Sequence, residues 1–225
     1  SAAEMTDLLG SAAVAAGSVS VDATGMTEAQ LVAVAAGVAK IPANGITGVM
    51  SLSTAGLTEI EIGALLSDAS IGATVTVDAT AMTTADLTAL STNIAKVDAI
   101  TNLTVTDTQS SAEIGNLLSK ASGATVNAAS MDATDLGQVA ANIGGVGSIT
   151  NLTLTIPDAT SDASRANVFA EVTDAQAQSL LTKTSAVTVT GNADADWIDL
   201  RGFDTTGVSF AINASNGDNV IYSGD

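Results

Sequence analysis

The sequence contains no cysteine and no histidine among its 225 residues. Disulfide bonds are therefore excluded, and so are zinc or copper sites built from the usual nitrogen and sulfur ligands. The two absences also remove the histidine base and the cysteine nucleophile on which many enzymes depend. We therefore expect a protein that is not an enzyme.

Aromatic and basic residues are scarce. Aromatic residues make up 2% of the chain, and 6 Lys and Arg stand against 24 Asp and Glu, for a formal net charge of −18. Such an acidic surface repels nucleic acids and anionic membranes and attracts divalent cations. No apolar run reaches the length of a membrane span, and the first residues lack the basic start of a signal peptide. We expect no nucleic-acid binding, no membrane insertion, and a chain that is a piece of a longer protein.

Internal repetition is the strongest feature that is present. The stretches GSVSVDATGM, GATVTVDATAM and GATVNAASM begin at residues 17, 72 and 123, and each is followed by a similar helix-forming segment. The methionines that close these stretches, Met26, Met82 and Met131, recur at a spacing of roughly fifty residues. Hydrophobic residues make up 46% of the chain, and small aliphatic side chains of this kind pack well between closely spaced, repeated layers.

Each unit is predicted to run helix, strand, helix, strand. SVSVD, TVTVD, LTVTD, LTLTI and VTVT are short, β-branched and alternating, as is typical of strands with one buried face. MTEAQLVAVAAGVAK has the apolar spacing of an amphipathic helix. Thr27, Thr83 and Asp132 stand where helix N-caps belong, and Thr27 to Gln30 fits the capping-box spacing.

Regular alternation of strands and helices calls for parallel strands joined by crossover helices. A doubly wound sheet would bury both strand faces, whereas the alternating threonines indicate one exposed face. The similarity of the units also favours a solenoid. We predict an α/β fold for residues 1–190: a right-handed β-α solenoid, similar to leucine-rich repeats, with parallel strands and helices on one side. The pattern decays after Pro157, which suggests an atypical last repeat that acts as a cap.

Residues 191–225 differ in character. GNADADWIDL and NGDNVIYSGD place Gly, Asn and Asp before an apolar residue, and this resembles the haemolysin-type calcium-binding (RTX) nonapeptide. The resemblance implies a short β-roll-like segment or C-terminal cap that binds calcium. Its ligands would be Asp194, Asp196, Asp199, Asp218 and Asp225. The alternative is that these aspartates are ordinary turn residues, which bond their own backbone.

Two other features leave alternatives open. Asp22 and Asp78, in the repeated VDAT, form either a row of carboxylates on adjacent coils or separate local bonds to the backbone at strand ends. Trp197, the only tryptophan, is either a platform for sugar stacking or a core side chain between the solenoid and the roll.

The resemblance implies a function as well. Surface-layer proteins and giant RTX adhesins are its settings, which implies an extracellular location on a bacterial cell after type I secretion. We predict a non-catalytic structural segment whose partners are calcium ions and other copies of itself or cell-surface glycan. The alternatives are an accessory module of a secreted RTX enzyme, or a module that binds carbohydrate or protein through its threonine-rich sheet face.

Overall fold

The structure is a computed structural model that describes residues 1–53, 57–67, 71–157, 167–191, 196–214 and 219–223. These residues form a mixed α/β fold of seven α-helices and thirteen short strands. The helices α1 to α7 are Ala2–Gly10, Glu28–Ala36, Glu59–Ser67, Thr84–Thr92, Ser111–Lys120, Ala133–Ala141 and Asp174–Leu181. The strands β1 to β13 are Val21–Asp22, Ile46–Thr47, Val49–Leu52, Thr74–Asp78, Ala99–Thr101, Thr104–Val105, Ala124–Asn127, Val146–Thr150, Leu152–Thr155, Ala186–Thr190, Trp197–Asp199, Ser209–Asn213 and Val220–Tyr222. None of the helices in this part of the chain has the length and apolar character needed to cross a membrane.

The predicted N-caps are confirmed. Thr27, Thr83 and Asp132 precede α2, α4 and α6, and each closes a capping box with the residue three positions later. At the first of them the Thr27 backbone N–H donates to Gln30 Oε1 at 2.8 Å. Such a pair satisfies two backbone donors that a helix start leaves unbonded, so each helix begins where the sequence places the cap.

The strands alternate in burial as predicted. In β4, Val75 and Val77 are buried while Thr74 and Asp78 are exposed. Since successive strand side chains point to opposite faces, the valines face the core and the threonine hydroxyl faces solvent.

All strand pairs that the structure describes are parallel. Val21 pairs with Ile46, Val49 with Thr74, and Val77 with Ile100, so the partner lies 23 to 25 residues further along the chain. In each of these three pairs the interval between the strands holds one α-helix, which is the crossover that parallel pairing requires. The predicted α/β class with parallel strands is therefore confirmed.

The chain divides into two compact units. The first comprises Ser1–Leu103 and Ser119–Ser122, and the second comprises Thr104–Leu118 and Gly123–Asp225. The first holds the sheets β1-β2 and β3-β4-β5, and the second holds β6-β7-β8, β12-β10-β9 and β11-β13.

A left-handed residue bends the chain between β2 and β3, between β5 and β6, and between β8 and β9. These residues are Gly48, Asn102 and Asn151, with φ of 81°, 54° and 55°. The Asn102 amide donates to Asp78 Oδ1 at 3.0 Å, and the Asn151 amide donates to Asn127 Oδ1 at 2.9 Å. Asparagine tolerates this backbone conformation, and here its side chain also bonds the neighbouring strand.

The regular step is interrupted once in the second unit. Leu152 in β9 pairs with Val187 in β10, 35 residues later. Part of this interval lies outside the described residues, and the rest contains α7, which Thr173 caps. The longer step coincides with the region after Pro157 in which the sequence pattern decays.

Candidate functional site

The predicted calcium ligands fall around β11 and β13 of the second unit. Asp194, Asp218 and Asp225 lie outside the described residues. Asp196 immediately precedes β11, and Asp199 ends it. β11 pairs in parallel with β13, with Trp197 opposite Val220.

Asp196 is deeply buried, with 2% of its surface exposed. Its backbone N–H donates to Asn219 Oδ1 at 2.9 Å, and its carbonyl accepts from the Val220 N–H at 2.9 Å. Its carboxylate packs against Gly191 so closely that a Cβ on that glycine would overlap it. Asp196 therefore presents one hard anionic oxygen group at the start of β11, and this is the type of ligand that calcium prefers.

Asp199 has a different partner. Arg201 binds both oxygens, with Nε 2.9 Å from Oδ1 and Nη2 2.6 Å from Oδ2, and its backbone N–H donates to Oδ1 at 3.1 Å. The guanidinium carbon also lies 4.0 Å from the centre of the Tyr222 ring. A calcium ion at Asp199 would have to displace this bidentate pair, so Asp196 fits the ion better than Asp199 does.

Trp197 lies against Tyr222, with the ring centres 5.4 Å apart and the planes tilted by 52°. Both rings are partly buried. The sequence analysis missed Tyr222 and Arg201 as members of this cluster. The register of β11 on β13 brings Tyr222 beside Asp199. Because these two residues are 23 positions apart, no local sequence pattern indicates that Tyr222 belongs to the cluster.

An open cleft of about 490 Å³ lies beside this cluster. It is lined by Val168, Asp174, Asp199, Arg201, Gly202 and Phe203. The Val168 N–H donates to Asp174 Oδ1 at 2.8 Å, so that carboxylate is held in place by the backbone. Two carboxylates and one guanidinium give the cleft a polar wall suited to a small neutral or cationic ligand.

Grouped metal ligands are not found in the part of the chain that the structure describes. No three Asp or Glu side chains there lie close enough together to hold one metal ion.

Asp22 and Asp78 bond the local backbone, as one of the two alternatives predicted. Asp22 Oδ1 accepts the Thr24 N–H at 3.0 Å. Asp78 Oδ1 accepts both the Thr80 N–H at 3.1 Å and the Thr80 hydroxyl at 2.6 Å. The backbone bond from Thr24 lowers the pKa of Asp22, and the hydroxyl of Thr80, followed by the Asn102 amide, lowers the pKa of Asp78. Both carboxylates terminate strands and stabilise turns.

Comparison with known proteins assigns no relative. No protein-family model, no curated protein and no solved structure matches the chain significantly. Its function therefore has to be inferred from its own residues.

Proposed function

We propose that this chain is a non-catalytic structural segment of a large, calcium-dependent bacterial surface protein of the surface-layer or giant adhesin kind. One observation carries the proposal: parallel strands pair with partners 21 to 25 residues later throughout the first unit and, apart from the step from β9 to β10, in the second. The proposed right-handed β-α solenoid with helices on one side accounts for this step, because each coil sets its strand beside the strand of the next coil. The right hand follows the general rule for crossovers between parallel strands.

Side-chain contacts repeat at the same interval and support the solenoid. Ser53 Oγ donates to Glu28 Oε1 at 2.6 Å, and Ser111 Oγ donates to Asp135 Oδ1 at 2.6 Å, over 25 and 24 residues. Each of these carboxylates belongs to the first turn of a helix in an adjacent coil. Stacked coils of this kind yield a rigid element that needs no aromatic core.

Calcium is the cofactor that we propose. Parallel pairing of β11 with β13 brings Asp196, which precedes β11, beside Asn219, which precedes β13, and the RTX resemblance implies a calcium ion near Asp196. Asp196 would supply a buried carboxylate, and Asp194, Asp218 and Asp225 would supply the others that the RTX resemblance implies. An acidic chain exported unfolded by type I secretion would then fold outside the cell, where calcium offsets its charge.

A calcium titration tests this part of the proposal. Melting followed by circular dichroism should give a higher melting temperature in excess calcium than in chelator, since a ligand at 100 times its dissociation constant adds about 2.7 kcal/mol of stability. The difference should shrink in Asp196→Asn and persist in Asp174→Asn, which removes a carboxylate from the cleft instead. Equal melting of the wild-type protein with and without chelator would remove calcium from the proposal.

The structural role has its own test. Analytical ultracentrifugation over a concentration series should detect self-association of the wild-type protein in calcium-containing buffer. A protein that stays monomeric at every concentration would contradict a self-associating surface element.

A second candidate function is a carbohydrate- or protein-binding module. Outward-facing hydroxyls favour this function. Ser51 in β3 and Thr74 in the paired strand β4 are exposed, and Ser51 Oγ lies 3.4 Å from Thr76 Oγ1. A glycan array should detect binding that is lost in Thr74→Val with Thr76→Val, because valine keeps the shape and removes the hydroxyl. Wild-type protein that binds no glycan would exclude glycan as the ligand of this face. The accessory-module alternative predicts a catalytic domain in the same polypeptide.

A further inference from the structure

The aromatic residues of the chain are gathered beside the open cleft of the second unit. None of the five precedes Phe169, so the earlier coils pack without aromatic side chains. Phe203, which lines the cleft, lies against Phe169 with the ring centres 5.8 Å apart. Arg201, which also lines it, covers the ring of Tyr222, and Tyr222 in turn contacts Trp197. Four of the five rings thus support one concave surface, and concave surfaces backed by aromatic side chains are typical of ligand sites.

The three charged side chains of the cleft are held in place by the protein itself. Asp174 is exposed at the start of α7, and its Oδ1 accepts the Val168 N–H at 2.8 Å. Arg201 binds both oxygens of Asp199, and the two side chains are 59% and 19% exposed. A ligand can therefore reach all three groups. Because they are already ordered, binding costs little side-chain entropy.

The charges of the cleft select against ions. A phosphate or carboxylate would meet Asp174 and Asp199 on a chain with a net charge of −18, and it would be repelled. A metal cation would meet the guanidinium of Arg201, and the described ranges hold no group of three Asp or Glu side chains that could bind it. A hydroxyl group suits both signs, because it donates to a carboxylate and accepts from a guanidinium. A ligand rich in hydroxyls therefore matches the polar wall.

The apolar part of the cleft and its size point to the same ligand. Val168 and Phe203 supply the apolar lining. A sugar ring carries hydroxyls around its edge and C–H groups on its faces, so one ring can satisfy both parts of the wall. The volume of about 490 Å³ lies within the range of about 300–1,000 Å³ that is typical of small-molecule sites.

We propose that this cleft binds an uncharged sugar residue of a glycan. Hydroxyls of the sugar donate to Asp174 and Asp199 and accept from Arg201, while one face of the ring packs on Val168 and Phe203. The inference rests on the carbohydrate-binding candidate function and gives it a site distinct from the threonine-rich sheet face. It depends neither on the structural function nor on calcium.

A glycan array and tryptophan fluorescence test the proposal. The array carries neutral glycans that end in hexoses or N-acetylhexosamines and acidic glycans that end in uronic or sialic acids. We expect binding to the neutral glycans, and equal binding to the acidic ones would contradict the selection by charge. Trp197 is the only tryptophan, and it lies 5.4 Å from Tyr222, on which Arg201 rests. Its fluorescence should therefore change on titration with the terminal sugar of the bound glycan and stay unchanged with glucuronic acid.

Two matched pairs of variants locate the sugar. Gly202 lines the cleft, and a Cβ added there meets no atom within 4 Å, so Gly202→Leu adds a bulky side chain to the cleft without displacing its neighbours. Gly144→Leu is the control, because Gly144 is equally open and lies outside the cleft lining. Asp174→Ala removes a carboxylate from the wall, and Asp107→Ala removes an exposed carboxylate elsewhere in the same unit. The two cleft variants should bind about tenfold more weakly or worse, and the two controls should bind like the wild-type protein.

The outcomes separate the site from the function. Circular dichroism first checks that all four variants fold. Wild-type binding that persists in either cleft variant, or that falls equally in the controls, would overturn this site and leave the carbohydrate-binding function standing. Loss of that binding in Thr74→Val with Thr76→Val would then assign it to the sheet face. Absence of glycan binding in the wild-type protein would overturn the candidate function together with the site.

Discussion

A Leu-Leu pair recurs in α1 (Leu8-Leu9) and in α3 (Leu65-Leu66). The same substitution at the first leucine of each pair measures how much burial between coils contributes to the free energy of unfolding. Leu65→Ala removes a fully buried side chain of α3, and Leu8→Ala removes its counterpart in α1, which is 50% exposed. Both positions belong to the first unit, and we expect their effects in the same unfolding transition.

The structure predicts clearly different losses for the two variants. Burying a leucine fully contributes about 1.5–3 kcal/mol, and the cavity left by its removal raises the cost to about 2–5 kcal/mol. At Leu8 about half of the side chain already contacts solvent and water fills the space, so we expect a loss of about 1 kcal/mol or less. The gap between the variants therefore amounts to about 1–4 kcal/mol.

Urea denaturation followed by circular dichroism gives the two free energies of unfolding. The measurement should be made at low protein concentration, where copies do not associate. We expect both variants to keep the m-value of the wild-type protein. Equal losses at Leu8 and Leu65 would contradict the difference in burial between the two leucines.

Three further substitutions test local features. Asn102→Ala removes a donor to Asp78, whose pKa in the folded protein lies below its unfolded value. The hydrogen bonds to Asp78 stabilise the fold above the unfolded pKa, and this stabilisation is lost as the pH falls through the folded pKa. In the variant, NMR titration should therefore find the Asp78 pKa closer to its ordinary value, and the loss of stability in acid should be smaller. Thr83→Ala removes the N-cap of α4 and should cost about 0.5–2 kcal/mol in urea denaturation; no cost would mean that the capping box is dispensable. Gly191→Ala places a methyl group against the Asp196 carboxylate and should cost about 1–3 kcal/mol, and an unchanged melting temperature would contradict that packing.

Local features of the fold were predictable from the sequence. Thr27, Thr83 and Asp132 cap their helices because the cap and its partner lie three residues apart, within one readable window. Val75 and Val77 face the core because strand alternation has a period of two. Parallel pairing followed from the alternation of helices and strands.

Features set by distant contacts were not predictable. The Asn102 amide bonds Asp78 from 24 residues away, and nothing in the sequence near Asn102 marks that acceptor. The bidentate pair of Arg201 with Asp199 joins residues only two positions apart, and it was missed for another reason: the calcium motif assigns that carboxylate to the ion. The need for glycine at position 48 is also non-local, because a side chain there would meet Asp22, at the end of β1, and Thr24, in the turn after it.

The net charge of −18 does not by itself argue for calcium. Many of the carboxylates are structural: Glu61 and Glu113 accept the backbone N–H of Thr58 and Ser110 at helix starts, and Asp204 accepts the Thr206 N–H in a turn, which lowers its pKa. Carboxylates at helix N-termini and turns are favoured without any cation. The calcium proposal therefore depends on residues 191–225 alone. Chelator should act there and leave the melting of the first unit unchanged, whereas a chelator-sensitive first unit would show that calcium acts through the whole acidic surface.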